Sequence, residues 1–262
     1  MLVDAHCHIN YYKENIELAL SDIKKNNIFA VWNSVDIEDY KQMPDIIKNV
    51  DYILPGFGIH PNRAHDFIDK IEIVKETMKN CLFFGEIGLD YFFVRDEWKY
   101  PLQKQVIEIF LEAACDQKKI INLHIRNAYN EIMGLIDNYS VTKVIMHGYD
   151  GPKEYLNQYI DRGYRFTIGA TILEEYKERI PQWKEMLNHA KEIPAELLLV
   201  ETDGPPDINV MPSERLQTII EELARLRRTT PLEIRNLTRV NFLNMIKNDD
   251  RFTKYTQVLS EK

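Results

Sequence analysis

Short apolar runs recur along the chain. Between them lie longer stretches in which apolar residues return every three or four positions. The runs are LVDAHCH, FAVWNSV, YILPGFGIHP, CLFFGEIGLDY, IINLHIRN, KVIMHGYD, YRFTIGAT and LLLVETDG, each of strand length and bounded by turn residues. The first intervening stretch, KENIELALSDIKKNN, sets Ile16, Ala19, Leu20 and Ile23 on one helical face. YKQMPDIIKNV, DFIDKIEIVKETMKN, PLQKQVIEIFLEAACDQKK, NEIMGLIDNY, KEYLNQYIDRG, ERIPQWKEMLNHAKEI and SERLQTIIEELARLRR read the same way. Strict alternation of strands and helices predicts either a closed eightfold barrel or an open doubly wound sheet. The count of eight favours a (β/α)8 TIM-like barrel, and so does a first strand that no G-x-G-x-x-G turn follows. The stretch TPLEIRNLTRVNFLNMI adds an extra C-terminal helix, expected to pack outside the barrel. No repeat or composition shift divides the chain, so residues 1–262 are predicted to form a single barrel domain.

Polar residues interrupt these strands in a pattern. Side chains alternate along a strand, so Asp4, His6 and His8 are predicted to share one face and Val3, Ala5 and Cys7 the other. The polar face would point into the barrel and end at its C-terminal mouth, where barrel enzymes keep their chemistry. Glu86 and Asp90 end the fourth strand, His124 and Arg126 lie on one face of the fifth, His147 ends the sixth, and Glu201 and Asp203 lie on one face of the eighth. Six potential ligands thus converge: His6, His8, Glu86, His124, His147 and Asp203. Burying four imidazoles and two carboxylates without partners costs several kcal/mol for each unpaired ion, and a cation satisfies them. Nitrogen-rich donors suit zinc, manganese or another first-row ion better than calcium. Six donors exceed one tetrahedral site, so two divalent ions sharing a carboxylate are expected, zinc, manganese or magnesium. Such a pair clamps the attacking and leaving oxygens of phosphoryl hydrolysis. Asp4 and Glu201, deeper in their rows, are expected to brace ligands rather than bind ions.

Other polar residues read more plainly. His65 and His189 sit in polar helical or loop contexts and are expected to be ordinary structural or surface residues. His60, in GIHP, either contacts substrate or braces the loop after the third strand. Arg126 would reach a phosphate, or pair with a barrel carboxylate. Tyr11, Tyr12, Tyr91, Phe92 and Phe93 fall in loops at the mouth, where they would stack bases or close the barrel top.

Composition narrows the function. Hydrophobic residues make up 45% of the chain and charged residues 28%, as for a soluble protein with a sizeable core. The net charge of −8 argues against a protein that coats DNA without regard to sequence, so any nucleic-acid contact is local. Three cysteines, Cys7, Cys81 and Cys115, without C-x-x-C spacing, point to a reducing compartment. With no leader-like or membrane-length apolar run, a cytoplasmic location is expected.

VDAHCHIN, GIHPN, FFGEIGLDY, LHIRNA, HGYDG and VETDGPP, in that order, resemble the motifs of TatD-family metal-dependent deoxyribonucleases, within the amidohydrolase-like superfamily. The resemblance runs from residue 3 to about residue 246. It implies a TIM-like barrel with a divalent-metal centre that hydrolyses phosphodiester bonds, as a 3′-to-5′ exonuclease on single-stranded DNA or chain ends. It further implies that His6 and His8 hold a first ion, Glu86 bridges, His124 and His147 hold a second, and Asp203 binds metal and takes the proton of the attacking water. His60, Arg126 and Tyr91 would contact substrate. Some TatD-like proteins belong to multi-gene bacterial defence systems against phage, which would add protein partners. Four motifs depart: Asn62 replaces a second histidine after G-I-H-P, Tyr149 and Asp150 alter the H-C-F-S-G motif, ETDGP stands for E-T-D-A-P, a mild change, and NFLNMI lacks an arginine. The rival readings are an amide or cyclic-amide hydrolase on the same scaffold, a phosphoesterase for small molecules, and a metal-binding subunit without catalysis.

Overall fold

The eight apolar runs form eight parallel strands that pair in chain order, β1 through β8. The computed structural model describes residues 1–205 and 207–260. The strands are β1 (Leu2–Cys7), β2 (Ile28–Asn33), β3 (Ile53–Phe57), β4 (Phe83–Asp90), β5 (Ile120–Arg126), β6 (Val144–Met146), β7 (Arg165–Ile168) and β8 (Leu198–Val200). Helices α1 (Ile16–Lys25), α2 (Ile37–Ile47), α3 (Ile71–Asn80), α4 (Tyr100–Gln117), α5 (Tyr129–Tyr139), α6 (Lys153–Asp161), α7 (Trp183–Glu192) and α8 (Pro212–Arg227) follow the strands in turn. Parallel neighbours require such crossovers. The result is the predicted TIM-like barrel, nearly closed. Among the described residues, no β ladder joins β8 to β1. The seam is held instead by the buried Asp4 carboxylate, which accepts from the Thr202 N–H at 2.9 Å and hydroxyl at 2.7 Å, and by the Asp203 N–H, which donates to the His6 carbonyl at 3.1 Å.

Two core layers follow from the strand faces. Outward residues such as Trp32, Phe84, Leu123, Met146 and Val200 pack against the helices. Inward residues near the strand starts, Val3, Ala5, Phe29, Val31, Leu54, Phe83, Ile120, Ile145 and Leu199, form a separate apolar plug. That plug meets Phe242, Met245 and Ile246 of α9 (Pro231–Ile246), together with Phe252 and with Leu259 of α10 (Thr253–Ser260). The extra C-terminal helix therefore covers the N-terminal mouth of the barrel rather than joining the outer ring. Its start is fixed by a capping box, in which Thr230 Oγ1 accepts from the Glu233 N–H and the Glu233 carboxylate accepts from the Thr230 N–H. α10 has no counterpart in the sequence reading. With the bottom plugged, polar side chains inside the barrel open only toward the C-terminal mouth. Among the described residues, no helix is long and apolar enough to cross a membrane.

Candidate metal centre

Strand irregularities set which residues face this mouth. Between Asp4↔Ala30 and Cys7↔Trp32, two residues of β1, Ala5 and His6, oppose one residue of β2, Val31. Between Phe84↔Ile121 and Ile87↔Leu123, Gly85 and Glu86 oppose Asn122 alone. Each extra residue reverses the alternation beyond it. The sequence reading placed Asp4 on one face with His6 and His8, and packed Val3 and Ala5 on the helices. The bulge overturns both expectations: Val3 and Ala5 point into the barrel, while Asp4 lies in the row of Ala30 and reaches the β8 seam. Gly85 is needed at the second bulge, because a Cβ there would sit 2.3 Å from Asn33 Oδ1. His147 and Asp203 lie just past the three-residue strands β6 and β8 rather than within them. Asp203 is in the left-handed backbone region, with φ 60°, which Asp tolerates better than most residues and which recurs at functional sites.

The six expected ligands do converge. Glu86, 2% exposed, directs one oxygen to each side. Its Oε2 lies 3.1 Å from His8 Nε2 and 3.7 Å from His6 Nε2. Its Oε1 lies 2.7 Å from His124 Nδ1 and 3.8 Å from His147 Nε2. Asp203 Oδ1 sits 3.5 Å from His6 Nε2, 3.6 Å from His147 Nε2 and 3.8 Å from His8 Nε2. Its side chain is 53% exposed at the rim, whereas those of His6 and His8 are 0% and 3% exposed. His60 joins the set, with Nε2 3.6 Å from Glu86 Oε1. It was read as a substrate contact or a loop brace, yet it lies close enough to Glu86 and His124 to share an ion with them.

The far nitrogen of each imidazole explains the orientation. His6 Nδ1 faces Asn122 Oδ1 at 3.1 Å, and His8 Nδ1 faces the Asn33 carbonyl at 2.9 Å. His147 Nδ1 faces Glu201 Oε2 at 2.7 Å, and His124 Nε2 faces Asp90 Oδ2 at 3.2 Å. These oxygens only accept, so the ring nitrogens toward them donate, and the opposite nitrogens present lone pairs to the centre. His6 Nε2 and His8 Nε2 then meet at 3.1 Å. Among the described residues, the buried His124 Nδ1 has no hydrogen-bond partner, although it approaches Glu86 so closely. Lone pairs at such distances repel unless a cation lies between them. The donors present therefore fit divalent ions held by nitrogen and carboxylate oxygen.

Without ions, protons supply part of the missing charge. Burial opposes a charged His147, but Glu201 and Asp203 outweigh it and lift the imidazole to about 9. His6 goes the other way: burial, then the neighbouring His147, lower it. Burial pushes His60 down to about 4. Desolvation at the crowded rim works against the Asp203 charge, yet His147 and then His6 hold that carboxyl well below the usual carboxylate range. Glu86 behaves likewise, with His60 and His124 outweighing burial.

The remaining expected residues divide. Glu201 touches His147 rather than the centre, in space left by glycine: Gly148 has φ +47°, and a Cβ there would lie 3.2 Å from Glu201 Oε1. Arg126 Nη1 donates to the Ile125 and Gly148 carbonyls at 3.0 and 3.2 Å and to Asp150 Oδ1 at 3.4 Å, which leaves Nη2 and Nε uncommitted among the described residues. Tyr91 is not brought to the ring of ligands: its hydroxyl donates to Glu131 at 2.8 Å and its ring stacks on Tyr100. The sequence reading passed over Asn33 and Asn122, and named Asp90 without a task. For Asn33 and Asn122 the signal was a polar residue at an inward strand position with no charge to suggest chemistry. Tyr11 stacks on His8 with ring centroids 4.9 Å apart.

A family model described as TatD related DNase matches residues 3–247. Human deoxyribonuclease TATDN3 is 25% identical over 224 residues, covering 78% of this chain and 78% of that protein. An uncharacterized metal-dependent hydrolase of Buchnera aphidicola (subsp. Baizongia pistaciae) is 24% identical over 269 residues, covering 96% and 98%. The fold is that of YjjV, a TatD homologue from Escherichia coli K12, with a TM-score of 0.80 at 20% identity over 94% of this chain and 98% of that one.

Proposed function

The chain belongs to the TatD-related DNase family of metal-dependent hydrolases, and from that premise we propose that it cleaves phosphodiester bonds of DNA, releasing nucleotides from 3′ ends of single strands. The observation that carries this reading is Glu86, a buried carboxylate with one oxygen toward His6 and His8 and the other toward His124, His147 and His60. His6, His8, Glu86 and Asp203 would hold one ion, and Glu86, His124 and His147 a second, with His60 beside them. When bound, such ions polarise a phosphate oxygen and lower the pKa of a water.

The chain's own residues complete the chemistry. Asp203 is ionised, exposed at the rim and fixed by the bond from its N–H to the His6 carbonyl, so it takes the proton of the attacking water. Glu201 orients His147, Asn122 orients His6 and Asp90 orients His124. Arg126 offers its uncommitted Nη2 to a phosphate oxygen, where charge accumulates during attack. The barrel plug excludes water from below.

The test is a screen of 3′- and 5′-labelled single- and double-stranded DNA with added manganese, beside lactams and simple amides. Release of mononucleotides from 3′ ends, abolished by Asp203→Asn in a variant with an unchanged circular dichroism spectrum, is the expected result. Turnover of lactams without DNA cleavage would replace it with the amide-hydrolase reading.

A further inference from the structure

Beside the metal centre lies a second, larger cleft of about 910 Å³, enough to bury a nucleotide-sized ligand. It adjoins the smaller space of about 210 Å³ around His147, Glu201 and Asp203, since Arg126 and Thr171 line both. Its lining combines apolar and polar surface in the way a flat heterocycle requires. Phe92 and Phe93 stand at its rim, 55% and 68% exposed, large apolar rings left in water beside a cavity. Met186 contributes apolar wall.

Two polar groups in this cleft have unused capacity. Asp150 Oδ1 accepts from the Tyr129 hydroxyl at 2.8 Å and from Arg126 at 3.4 Å. No hydrogen bond engages Asp150 Oδ2 among the described residues. His189 is 3% exposed, lines the cleft and, among the described residues, leaves its buried Nδ1 without a hydrogen-bond partner. An unsatisfied buried polar group costs about 1–3 kcal/mol. Burial holds the His189 pKa below the ordinary imidazole value.

We propose that this cleft seats the base of the nucleotide whose phosphate lies at the metal centre, with Asp150 Oδ2 accepting from a base amino group and Phe93 covering the base. The proposal rests on the nuclease reading above and makes Asp150 a specificity-determining residue. Arg126 links the two spaces: Asp150 holds one edge of its guanidinium while the other edge is free toward the phosphate. His189 forms part of the wall of the base site.

Binding rather than turnover tests it. Metal-loaded protein is titrated calorimetrically with deoxyadenosine monophosphate, with the analogue that lacks the 6-amino group, and with deoxyribose 5-phosphate. The expected order is that sequence of decreasing affinity, with steps of about tenfold each from the carboxylate hydrogen bond and from base stacking. Asp150→Asn keeps an oxygen for Tyr129 but turns an NH2 toward the base, so the first step should vanish and the second remain. Met186→Trp, which fills the apolar wall, should remove both steps, while retained binding of deoxyribose 5-phosphate reports an intact fold. Equal affinities for the three ligands, no binding of any of them, or steps that survive both substitutions would overturn the proposal. Base discrimination without cleavage of any labelled DNA would instead sink the nuclease reading alone. Cleavage at 3′ ends without base discrimination would sink the proposal alone.

Discussion

Replacing Asn122 by leucine isolates the claim that imidazole tautomers prepare this centre for ions. Asn122 is fully buried. Its Oδ1 accepts from His6 Nδ1 at 3.1 Å and its Nδ2 donates to the Ala5 carbonyl at 3.2 Å. Leucine has the same branched shape and number of side-chain heavy atoms but is the bulkier residue, so no cavity opens. It orphans two buried polar groups, at about 1–3 kcal/mol each, giving a stability loss of about 2–6 kcal/mol. The effect on ion binding has a separate cause. With no acceptor at Nδ1, His6 is free to carry its proton on Nε2, where the lone pair for the ion belongs. Loss of such a partner typically weakens metal affinity about 10–100-fold. Asn122→Asp serves as the control: it keeps an acceptor for His6 but sets a carboxylate against the Ala5 carbonyl, so it should lose stability yet retain zinc affinity. Competition against a fluorescent chelator reads the affinity, and thermal melts with and without ion read the stability. If the leucine variant is destabilised but binds zinc as tightly as the parent, Asn122 is merely a packing residue and the tautomer argument fails.

Other consequences follow from the same geometry. Adding zinc or manganese should raise the melting temperature in proportion to the logarithm of free ion, worth about 2.7 kcal/mol at one hundred times Kd, and a melt unmoved by chelator would contradict a fit between donors and ions. Phe242→Ala, in the plug beneath the barrel, should cost about 3–5 kcal/mol in chemical denaturation while zinc affinity stays unchanged; a parallel loss of affinity would show that plug and centre are not independent. Asp39, which caps the Val35 N–H at 3.1 Å, is lifted to about 6 by burial. The folded state holds its proton more tightly than the unfolded state, so this contribution is complete below about 3.8 and is lost as pH rises through 6. Asp39→Asn should therefore gain on the parent between pH 4 and 7, by at most about 3 kcal/mol, and a pH-independent difference in melts would refute the assignment.

Much of this architecture was legible because it rests on period. Eight short runs separated by amphipathic stretches leave few alternatives, and all eight strands form where the runs lie. The six expected ligand positions were legible as donors for a different reason: a histidine or acid in or at the end of an otherwise apolar strand is costly unless something pays for it. What could not be read is register. Strict alternation predicts that Asp4 and His6 share a face, and the bulge at Ala5–His6 separates them. No residue in LVDAHC announces an extra position. The companion bulge at Gly85–Glu86 left a trace in its glycine, whose missing Cβ makes room for Asn33 and Asn122, but a glycine in a strand has several meanings.

The two bulges also explain why the centre is built as it is. Without them, β1 would carry Asp4 inward beneath His6, and β4 would turn Glu86 toward the helices. With them, Ala5 and His6 stand side by side opposite Val31, so the apolar plug ends and the ligand layer begins within one residue step. Glu86 and Gly85 stand likewise opposite Asn122, the residue that holds His6. Asp4, displaced to the seam, ties Thr202 and so fixes the turn in which Asp203 takes its left-handed conformation. The same irregularity thus places a candidate ligand on one strand and anchors, across the barrel seam, the carboxylate that faces solvent. A substitution that straightened β1 would therefore disturb His6 and Asp203 together, although the two lie nearly two hundred residues apart in the chain.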